Sequence, residues 1–404
     1  MKADDTKQRE GRVVFVSHSG ELGGAELQLL DLAPRIPGSA VCVFENGPLI
    51  DKLTAVGMEV AVIGPPGIKL NVRRGSGIGD SIRSLPALLR LARGLLKHTG
   101  RQDLLYANSQ KAWVVAAMAA AVLRRRAIWH LHDILSTEHF SSTMADVGVW
   151  LANHFACAVV ANSVATANAF IDRGGKESLV QVVHNGIDPD QFKAVAPEEI
   201  AALRTAFGLD STRPVIGMFG RVSRWKGQHV LLEALATIPD AQVVFVGGPL
   251  FGEQDYLDEL KCRVRELGMT GRVKFAGFRD DVPRLMRAVD IVVHASVAAE
   301  PFGRVVVEAM FAERPVVAAR GGGVDEIVID GVTGLLVTPG EPAELANCLA
   351  GLLSSPSTAR RLASTAFPDA VKRFGIDKMT IEINILVHLF MRNRAVTLPQ
   401  STGS

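Results

Sequence analysis

Four loops of this chain place glycines or charged residues directly after an apolar, strand-like run. They span residues 19–26, 220–227, 296–303 and 321–323. Because ligands of open α/β sheets bind outside the carboxyl ends of the strands, we expect these loops to lie at one edge of one or two sheets. Glycine backbone, carboxylates and cations are groups that bind anions and sugar hydroxyls. The loops therefore predict a site for an anionic or sugar-like ligand.

The loop 220–227 carries two cations, Arg221 and Lys226, just before a helical pattern that starts near Gln228. Free backbone N–H groups and the helix dipole favour an anion at such a terminus. Arginine binds oxygens bidentately and lysine supplies a point charge, so the pair suits a diphosphate. A solvated basic loop without a ligand is the alternative.

Two carboxylates flank the start of another predicted helix, over residues 304–312. Glu300 follows a buried strand, and Phe302 and Gly303 open the helix. Glu308 lies on this helix among apolar residues, where a carboxylate needs a partner. The vicinal hydroxyls of a sugar or ribose are suitable partners, and a structural ion pair is the alternative.

Glycines at 23–24 and 321–323 would let backbone approach a ligand closely. Neither place contains G-x-G-x-x-G, so a nicotinamide-binding Rossmann site is not expected. The chain also lacks G-x-x-x-x-G-K-[ST]. Glycine pairs on their own are weak evidence for a site.

Strand-like and helical patterns alternate along the chain, which predicts parallel sheets with helices on both faces. A turn cluster at 185–190 and a polar helical stretch at 198–207 interrupt this alternation, so we place the domain boundary at 186–212. The strand candidates are 12–18, 40–44, 59–63, 103–107, 127–131, 157–161, 180–183, 215–219, 242–246, 272–275, 290–294 and 315–318, with a turn and strand over 331–337.

The bulk properties limit the class of protein. The 404 residues are enough for two domains, and a net charge of +2 with a pI near 8.4 does not indicate nucleic-acid binding. Four widely spaced cysteines indicate buried, reduced thiols in a cytosolic protein. The charged residues 1–10 predict a frayed tail instead of a signal peptide. The longest apolar run, 112–123, is too short to cross a bilayer and predicts a buried helix.

The helical stretch 85–97 has an apolar face and a basic face. Its predicted apolar face is formed by Leu85, Leu88, Leu89, Ala92, Leu95 and Leu96. Arg90, Arg93 and Lys97 cluster within about 60° of one another at 100° per residue. A core-packed helix with a solvated basic side is the favoured interpretation, and a membrane-surface element is the alternative.

In their order and spacing these motifs resemble the retaining glycosyltransferases of family 4, which have the GT-B fold. The resemblance covers nearly the whole chain. The motifs are Gly-Gly-Ala-Glu (23–26), Val-Ala-Asn-Ser (160–163), Asn-Gly-Ile-Asp (185–188) with Phe192, Gly-Arg-Val-Ser…Lys-Gly (220–227), and two glutamates eight residues apart (300 and 308) followed by Gly-Gly-x-x-Glu (322–326).

The resemblance implies an α/β protein with two Rossmann-like domains that face each other across a cleft. Residues 11–190 would form the acceptor domain and 210–374 the domain that binds the nucleotide-sugar donor. A final helix, within 375–395, would cross back and pack on the N-terminal domain.

The resemblance also implies roles for the candidate residues of the diphosphate site. Arg221 and Lys226 would bind the donor diphosphate and act in catalysis. Gly23 and Gly24 would let the N-terminal domain approach the same diphosphate.

The remaining donor contacts follow from the 300–308 segment in the same way. Glu300 would face the donor sugar as a catalytic residue. Backbone N–H groups of Phe302 and Gly303 would contact sugar hydroxyls or phosphate, and Glu308 would bind the ribose hydroxyls.

The family also has a histidine near the reacting sugar, and this chain offers two in Trp-His-Leu-His-Asp at 129–133. Residues two apart point to the same side of a strand, so either could reach the site. We favour His132, because the family histidine usually precedes a polar residue, and His130 is the alternative.

The expected activity is transfer of a hexose from a nucleotide diphosphate sugar to a saccharide or lipid-linked acceptor, in the synthesis of cell-surface glycans or polysaccharides. An epimerase or hydrolase acting on nucleotide sugars and a catalytically silent binding protein are the alternatives. We expect a cytoplasmic enzyme, with contact to the inner face of the membrane through the basic N-terminal domain left open. The donor base, the sugar and the acceptor are left open too.

No metal and no cofactor are expected. Asp188 and Asp190 form a D-x-D pattern, which can bind metal. They lie, however, in the family's interdomain turn, where aspartate and proline serve turn formation. Arg221, Lys226 and helix termini would stabilise the leaving diphosphate instead.

Overall fold

The computed structural model describes residues 11–64, 78–136, 142–250 and 252–392, with the side chains of 78–84 excepted. The predicted frayed tail at 1–10 lies outside the described residues. The chain divides into two compact units. Unit 1 comprises Met1–Gly186 with Ile376–Ser404, and unit 2 comprises Ile187–Gly375.

Unit 1 is built on a seven-stranded sheet in which every neighbouring pair is parallel. The strand order is β3-β2-β1-β4-β5-β6-β7. The strands are β1 (Val13–Ser17), β2 (Ala40–Val43), β3 (Glu59–Val62), β4 (Leu104–Ala107), β5 (Ala127–Leu131), β6 (Ala158–Ala161) and β7 (Val180–Val182). The helices are α1 (Gly24–Leu32), α2 (Pro48–Ala55), α3 (Ile78–His98), α4 (Gln110–Leu123), α5 (Ser142–Phe155) and α6 (Val164–Asp172).

Unit 2 repeats the design with six parallel strands in the order β10-β9-β8-β11-β12-β13. The strands are β8 (Val215–Phe219), β9 (Gln242–Val246), β10 (Val273–Gly277), β11 (Ile291–His294), β12 (Val316–Ala319) and β13 (Leu335–Val337). The helices are α7 (Pro197–Ala206), α8 (Gln228–Ala236), α9 (Gln254–Glu266), α10 (Val282–Arg287), α11 (Arg304–Phe311), α12 (Val324–Ile327), α13 (Pro342–Ser354) and α14 (Pro356–Phe374).

The predicted fold class is confirmed: both units are Rossmann-like α/β layers, and all predicted strands are present within two residues of their expected ends. The central strands are apolar on both faces because helices cover both sides of a parallel sheet. In unit 1, one face packs against α1 and α2 and the other against α3, α4 and α5.

The final helix, α15 (Ile376–Arg392), belongs to unit 1 and packs on the same sheet face as α1 and α2. Met379, Ile383 and Phe390 are buried there. The apolar sequence of this helix predicts that Ile381 and Ile385 are buried like Met379 and Ile383, and this is wrong, because Ile381 is 60% exposed and Ile385 is 62% exposed. These two residues lie four apart and share the outer face of the helix, whereas the buried set lies on the inner face.

The basic helix α3 also differs from its predicted pattern. Leu91 and Leu95 are buried against the sheet, but Leu85 and Leu89, assigned to the apolar face, are 48% and 44% exposed. The buried stripe is therefore rotated from the predicted one, and the outer face combines leucines with cations. The sequence adds two more cations before this helix, Arg73 and Arg74, and both lie outside the described residues.

Two further expectations are settled by burial. The run 112–123 lies in α4, which is buried over most of its length, as predicted. The cysteines are unpaired, but only Cys42 is fully buried and Cys262 is exposed, so burial of all four was a wrong expectation. Within the described ranges, none of the helices combines the length and the hydropathy needed to span a bilayer.

Each sheet has one point where the strand order reverses direction, between β1 and β4 in unit 1 and between β8 and β11 in unit 2. The connections from these neighbouring strands leave toward opposite faces of the sheet, which opens a crevice at their carboxyl ends. Lys226 and Glu300 follow β8 and β11, and Gly24 and Asn108 follow β1 and β4, so these residues lie at the two points.

Candidate functional site

In unit 2 the loops after β8 and β11 are in direct contact. A short 3₁₀ turn, Arg224–Lys226, ends at Gly227, which has a φ of 76° and caps α8. A side chain at Gly227 would collide with the carbonyl oxygen of Ala295, just after β11. The Val297 N–H donates to the Trp225 carbonyl at 2.8 Å. This close approach brings the turn onto the loop that carries Glu300.

Lys226 and Glu300 form an ion pair at this contact, in which Glu300 is buried and Lys226 is partly buried. The paired oxygen of Glu300, Oε1, also accepts from the Ser296 hydroxyl at 2.6 Å and lies 3.0 Å from His294 Nε2. Ser296 Oγ and His294 Nε2 are 3.1 Å apart. Three donors thus converge on one carboxylate oxygen.

This arrangement keeps Glu300 ionised although its side chain is only 7% exposed. Burial alone would raise the pKa of Glu300, but the Lys226 charge and the His294 hydrogen bond outweigh it and hold the pKa well below its usual range. Oε2 accepts none of these bonds. It is therefore the oxygen available to accept from ligand hydroxyls.

Lys226 Nζ also lies 4.1 Å from the centroid of the Trp225 ring, a cation–π contact. Arg221 lies in the same loop, directly after Gly220 at the end of β8. Its carbonyl accepts from the Gln228 side chain at 2.9 Å, which ties the loop to the first turn of α8.

Gly303 caps α11, and the glycine loop 321–323 packs against the backbone that precedes it. Gly322 has a φ of 66°, and a side chain there would collide with the carbonyl oxygen of Glu300. The next N–H, of Gly323, donates to that same carbonyl at 2.8 Å. The loop after β12 thus supports Glu300 through backbone contacts, and Phe302 beside it is buried.

Glu308 lies on α11 and accepts from Arg304 Nε at 2.7 Å, with 12% of its side chain exposed. The ion pair that the sequence left as an alternative is therefore present. A carboxylate held in this way still has acceptor capacity, since two oxygens offer about four lone-pair sites.

Unit 1 places its own polar cluster after β1 and β4. Gly23 caps α1 and Gly24 begins it, and a side chain at Gly24 would meet nothing within 4 Å. Glu26 is buried in the first turn, with His18 Nδ1 at 4.0 Å. Burial raises the pKa of Glu26 to about 7, so this carboxyl titrates close to neutral pH.

His132 follows β5 and is hydrogen-bonded through Nε2 to Asn108 Oδ1 at 2.9 Å. Burial lowers the pKa of His132 to about 3. His130 is fully buried, and its Nδ1 lies 3.1 Å from the Tyr106 hydroxyl. Its ring is tilted by 36° against that of His132, with the centroids 3.9 Å apart. Of the two histidines, His132 retains surface exposure, at 9%.

Asp188 and Asp190 form a turn, in which Asp188 Oδ1 accepts from the Asp190 N–H at 3.0 Å. Aspartate thus caps the 3₁₀ turn Pro189–Phe192. Across the part of the chain that the structure describes, no group of three or more histidine, cysteine or carboxylate side chains has metal-site geometry.

The sequence motifs predict no role for His294, Ser296 or Asn108. A histidine that ends an otherwise apolar buried strand is unusual and could have indicated His294. Asn108 directly follows the apolar run of β4, which is the same pattern that identified the other loops. The convergence of three donors on Glu300 could not be read from spacing, because it depends on how two loops meet.

Two family models match the chain and together cover most of it. Residues 22–191 match the model described as Glycosyltransferase Family 4. Residues 199–367 match the model described as Glycosyl transferases group 1.

Similar proteins are found among solved structures and curated sequences. HepE of Anabaena, solved in complex with UDP-glucose, is 41% identical, with a TM-score of 0.85 over 94% of this chain and 99% of that one. The D-inositol 3-phosphate glycosyltransferase of Mycobacterium sp. (strain KMS) is 41% identical over 46% of this chain and 42% of its own length. The 2-deoxystreptamine glucosyltransferase of Streptomyces kanamyceticus is 35% identical over 46% of this chain and 48% of its own. The match spans less than half the length of these two curated relatives.

Proposed function

The chain belongs to the group 1 glycosyltransferases, and on this premise we propose that it is a hexosyltransferase that uses a nucleotide diphosphate sugar as donor. The observation that carries the proposal is the ion pair of Lys226 with the buried Glu300 where β8 and β11 are neighbours, with Glu300 Oε2 unengaged. The structure of HepE with UDP-glucose supports a UDP-linked hexose, and UDP-glucose first, as the donor.

In this proposal unit 2 binds the diphosphate and the hexose of the donor. Arg221 and Lys226 neutralise the diphosphate, and Glu300 accepts from sugar hydroxyls through Oε2. Backbone N–H groups at Phe302 and Gly303 bind hydroxyl or phosphate oxygens at the start of α11.

The nucleoside end of the donor is assigned to α11. Glu308 accepts from the ribose hydroxyls while Arg304 holds its carboxylate in place. In unit 1, the open space beside Gly24 suits the approach of a phosphate to backbone.

The proposed reaction retains the anomeric configuration. The bond between the hexose C1 and the diphosphate oxygen breaks, and a bond from C1 to an acceptor oxygen forms on the same face of the sugar. The acceptor hydroxyl gives its proton to the departing diphosphate oxygen. Lys226 and Arg221 stabilise the negative charge that develops there, with no metal required.

The acceptor is proposed to be a saccharide or lipid-linked glycan in the synthesis of cell-surface glycans or polysaccharides, with a small polyol included because two relatives are named for cyclitol-type acceptors. The outer face of α3 supports contact with an anionic membrane surface. It exposes Leu85 and Leu89 together with Arg90 and Arg93, the combination typical of interfacial helices.

The experiment begins with thermal shifts in UDP-, GDP- and ADP-glucose, because ligand binding raises apparent stability. Release of the nucleoside diphosphate is then measured with and without an acceptor panel of oligosaccharides, lipid-linked glycans and cyclitols. Acceptor-dependent release supports the transferase.

Three other results would contradict the proposal. Release that is independent of acceptor would indicate a hydrolase. Conversion of one nucleotide sugar into another would indicate an epimerase. Tight donor binding without turnover would indicate a silent binding protein.

A further inference from the structure

Asn108 links the first turn of α1 to His132. Its Nδ2 donates to the Ala25 carbonyl at 2.8 Å, and its Oδ1 lies 2.9 Å from His132 Nε2. Asn108 is 1% exposed and His132 is 9% exposed, so both contacts are shielded from water. The three groups form a short series of hydrogen bonds at the carboxyl ends of β4 and β5.

The Ala25 carbonyl determines which group donates and which accepts in these hydrogen bonds. A carbonyl oxygen can only accept, so the amide nitrogen of Asn108 must face Ala25. The amide oxygen then faces His132, and it too can only accept. His132 Nε2 must therefore carry the hydrogen.

The protonation state of the other ring nitrogen, Nδ1, follows by elimination. Burial keeps the ring neutral by depressing the pKa of His132, and a neutral imidazole has one N–H. Nδ1 consequently holds a lone pair. It makes no hydrogen bond with a described residue and is not enclosed, in contrast to Nε2 of His130.

We infer that Asn108 is a positioning residue that holds His132 in the Nε2–H tautomer, so that Nδ1 accepts a hydrogen bond from a hydroxyl of a sugar substrate. The substrate part rests on the proposed function, whereas the tautomer does not. A sugar hydroxyl can donate to Nδ1, but a carboxylate, a phosphate or a ring ether oxygen cannot. His132 thereby selects a hydrogen-bond donor.

The tautomer is measured directly by long-range ¹H–¹⁵N correlation spectra of protein labelled at its 10 histidines. The signal of His132 is assigned by its loss in His132→Gln. We expect a non-protonated Nδ1 and a protonated Nε2 near neutral pH. A hydrogen on Nδ1, or on both nitrogens, would overturn the inference.

Variants separate positioning from general stability. Asn108→Ala removes the acceptor and should abolish the pure Nε2–H pattern, whereas Asn108→Asp keeps an acceptor opposite Nε2 and should keep the hydrogen on Nε2. The control is Asn162→Ala. Asn162 is likewise buried, directly after β6, but its side chain accepts from Thr166 at 2.9 Å instead of contacting His132. An unchanged His132 pattern in Asn108→Ala would contradict the positioning role.

The partner of Nδ1 is identified by titration of the labelled protein with UDP, UDP-glucose, and UDP with glucose. A hydrogen bond to Nδ1 moves its resonance upfield without protonating it. A shift with UDP-glucose but not UDP assigns the hydroxyl to the donor hexose, and a shift only with UDP and glucose assigns it to a sugar in the acceptor position. If the Nδ1 resonance does not shift on saturation with UDP-glucose or with UDP and glucose, the proposed hydrogen bond from a sugar hydroxyl is refuted. Failure to bind any of them would count against the proposed function instead.

Discussion

Glu300 is a buried carboxylate whose charge depends on a single oxygen shared by three donors. A buried charge left without a partner costs several kcal/mol, so the cluster is stable only as a set. In the proposed complex the Lys226 charge would be shared between Glu300 and the donor diphosphate, while Ser296 and His294 keep their hydrogen bonds to Glu300.

Lys226→Ala tests this assignment. We expect kcat/KM to fall by about 10²-fold or more, because a charge-assisted contact to the leaving group is lost. The matched control is Arg224→Ala in the same turn. Arg224 is 63% exposed and pairs with Glu259 on the surface, so its loss should leave steady-state kinetics near wild type. Equal losses in the two variants would indicate general damage to the turn and argue against a role for Lys226 at the diphosphate.

Glu308→Gln tests whether the carboxylate serves the ligand or only Arg304. If Glu308 binds ribose hydroxyls, nucleoside diphosphate binding should weaken by roughly 1–3 kcal/mol, measured by calorimetry, with little change in melting temperature. A lower melting temperature with unchanged affinity would assign Glu308 to the structural ion pair alone.

Glu26 should make the free energy of unfolding depend on pH. Its pKa is raised by burial from 4.5 to about 7, so between these values the folded chain binds a proton that the unfolded chain releases. The contribution of Glu26 to the free energy of unfolding therefore falls as pH rises between these two pKa values, by roughly 3 kcal/mol in total.

Glu26→Gln removes that titration. The free energy of unfolding of the variant minus that of wild type should be larger at about pH 8 than at about pH 5. Urea denaturation of both proteins at the two pH values measures this difference. Parallel pH profiles for the two proteins would show that Glu26 is not the buried acid described here.

At the scale of the element, α15 shows how one helix carries two kinds of apolar residue. Ile383 is fully buried against the unit 1 sheet, and Ile385, two residues later, is 62% exposed. Successive residues are turned by about 100° around a helix, so residues two apart lie on nearly opposite faces.

The two isoleucines offer a matched pair of truncations on α15. Ile383→Ala should lower the free energy of unfolding of unit 1 by about 2–5 kcal/mol, through lost burial and a cavity. Ile385→Ala should change it by less than about 0.5 kcal/mol. Similar effects of the two in chemical denaturation would show that α15 does not pack as described.

At the scale of the molecule, both units use the same order for their first six strands and gather polar side chains after the first and fourth of them. This placement follows from topology, since helices leave those two strands toward opposite faces. The described clusters contain cations and hydrogen-bond donors, and no three-ligand metal group occurs among the residues described.

If Lys226 and Arg221 stabilise the leaving group in place of a divalent ion, as proposed, transferase activity should survive excess EDTA. The measurement is nucleoside diphosphate release before and after chelation. Activity that disappears on chelation and returns with Mg²⁺ or Mn²⁺ would refute metal independence and reopen the role of Asp188 and Asp190.

The sequence alone determined the elements and the loops that carry the candidate residues. Strands appear as apolar runs and helices as periodic patterns, and both depend on neighbours within a few residues. For the same reason Lys226 and Glu300 could be selected as candidates, since each follows such a run in a glycine-containing loop.

Only the tertiary structure decided which side chains meet and which faces are covered. The convergence of Lys226, His294 and Ser296 on Glu300 depends on Gly227 passing close to Ala295, a contact between residues far apart in sequence. Burial of Ile383 but not Ile385 likewise depends on how α15 lies on the sheet. Burial is favourable for every apolar side chain, but the packing of the elements decides which apolar side chains are buried.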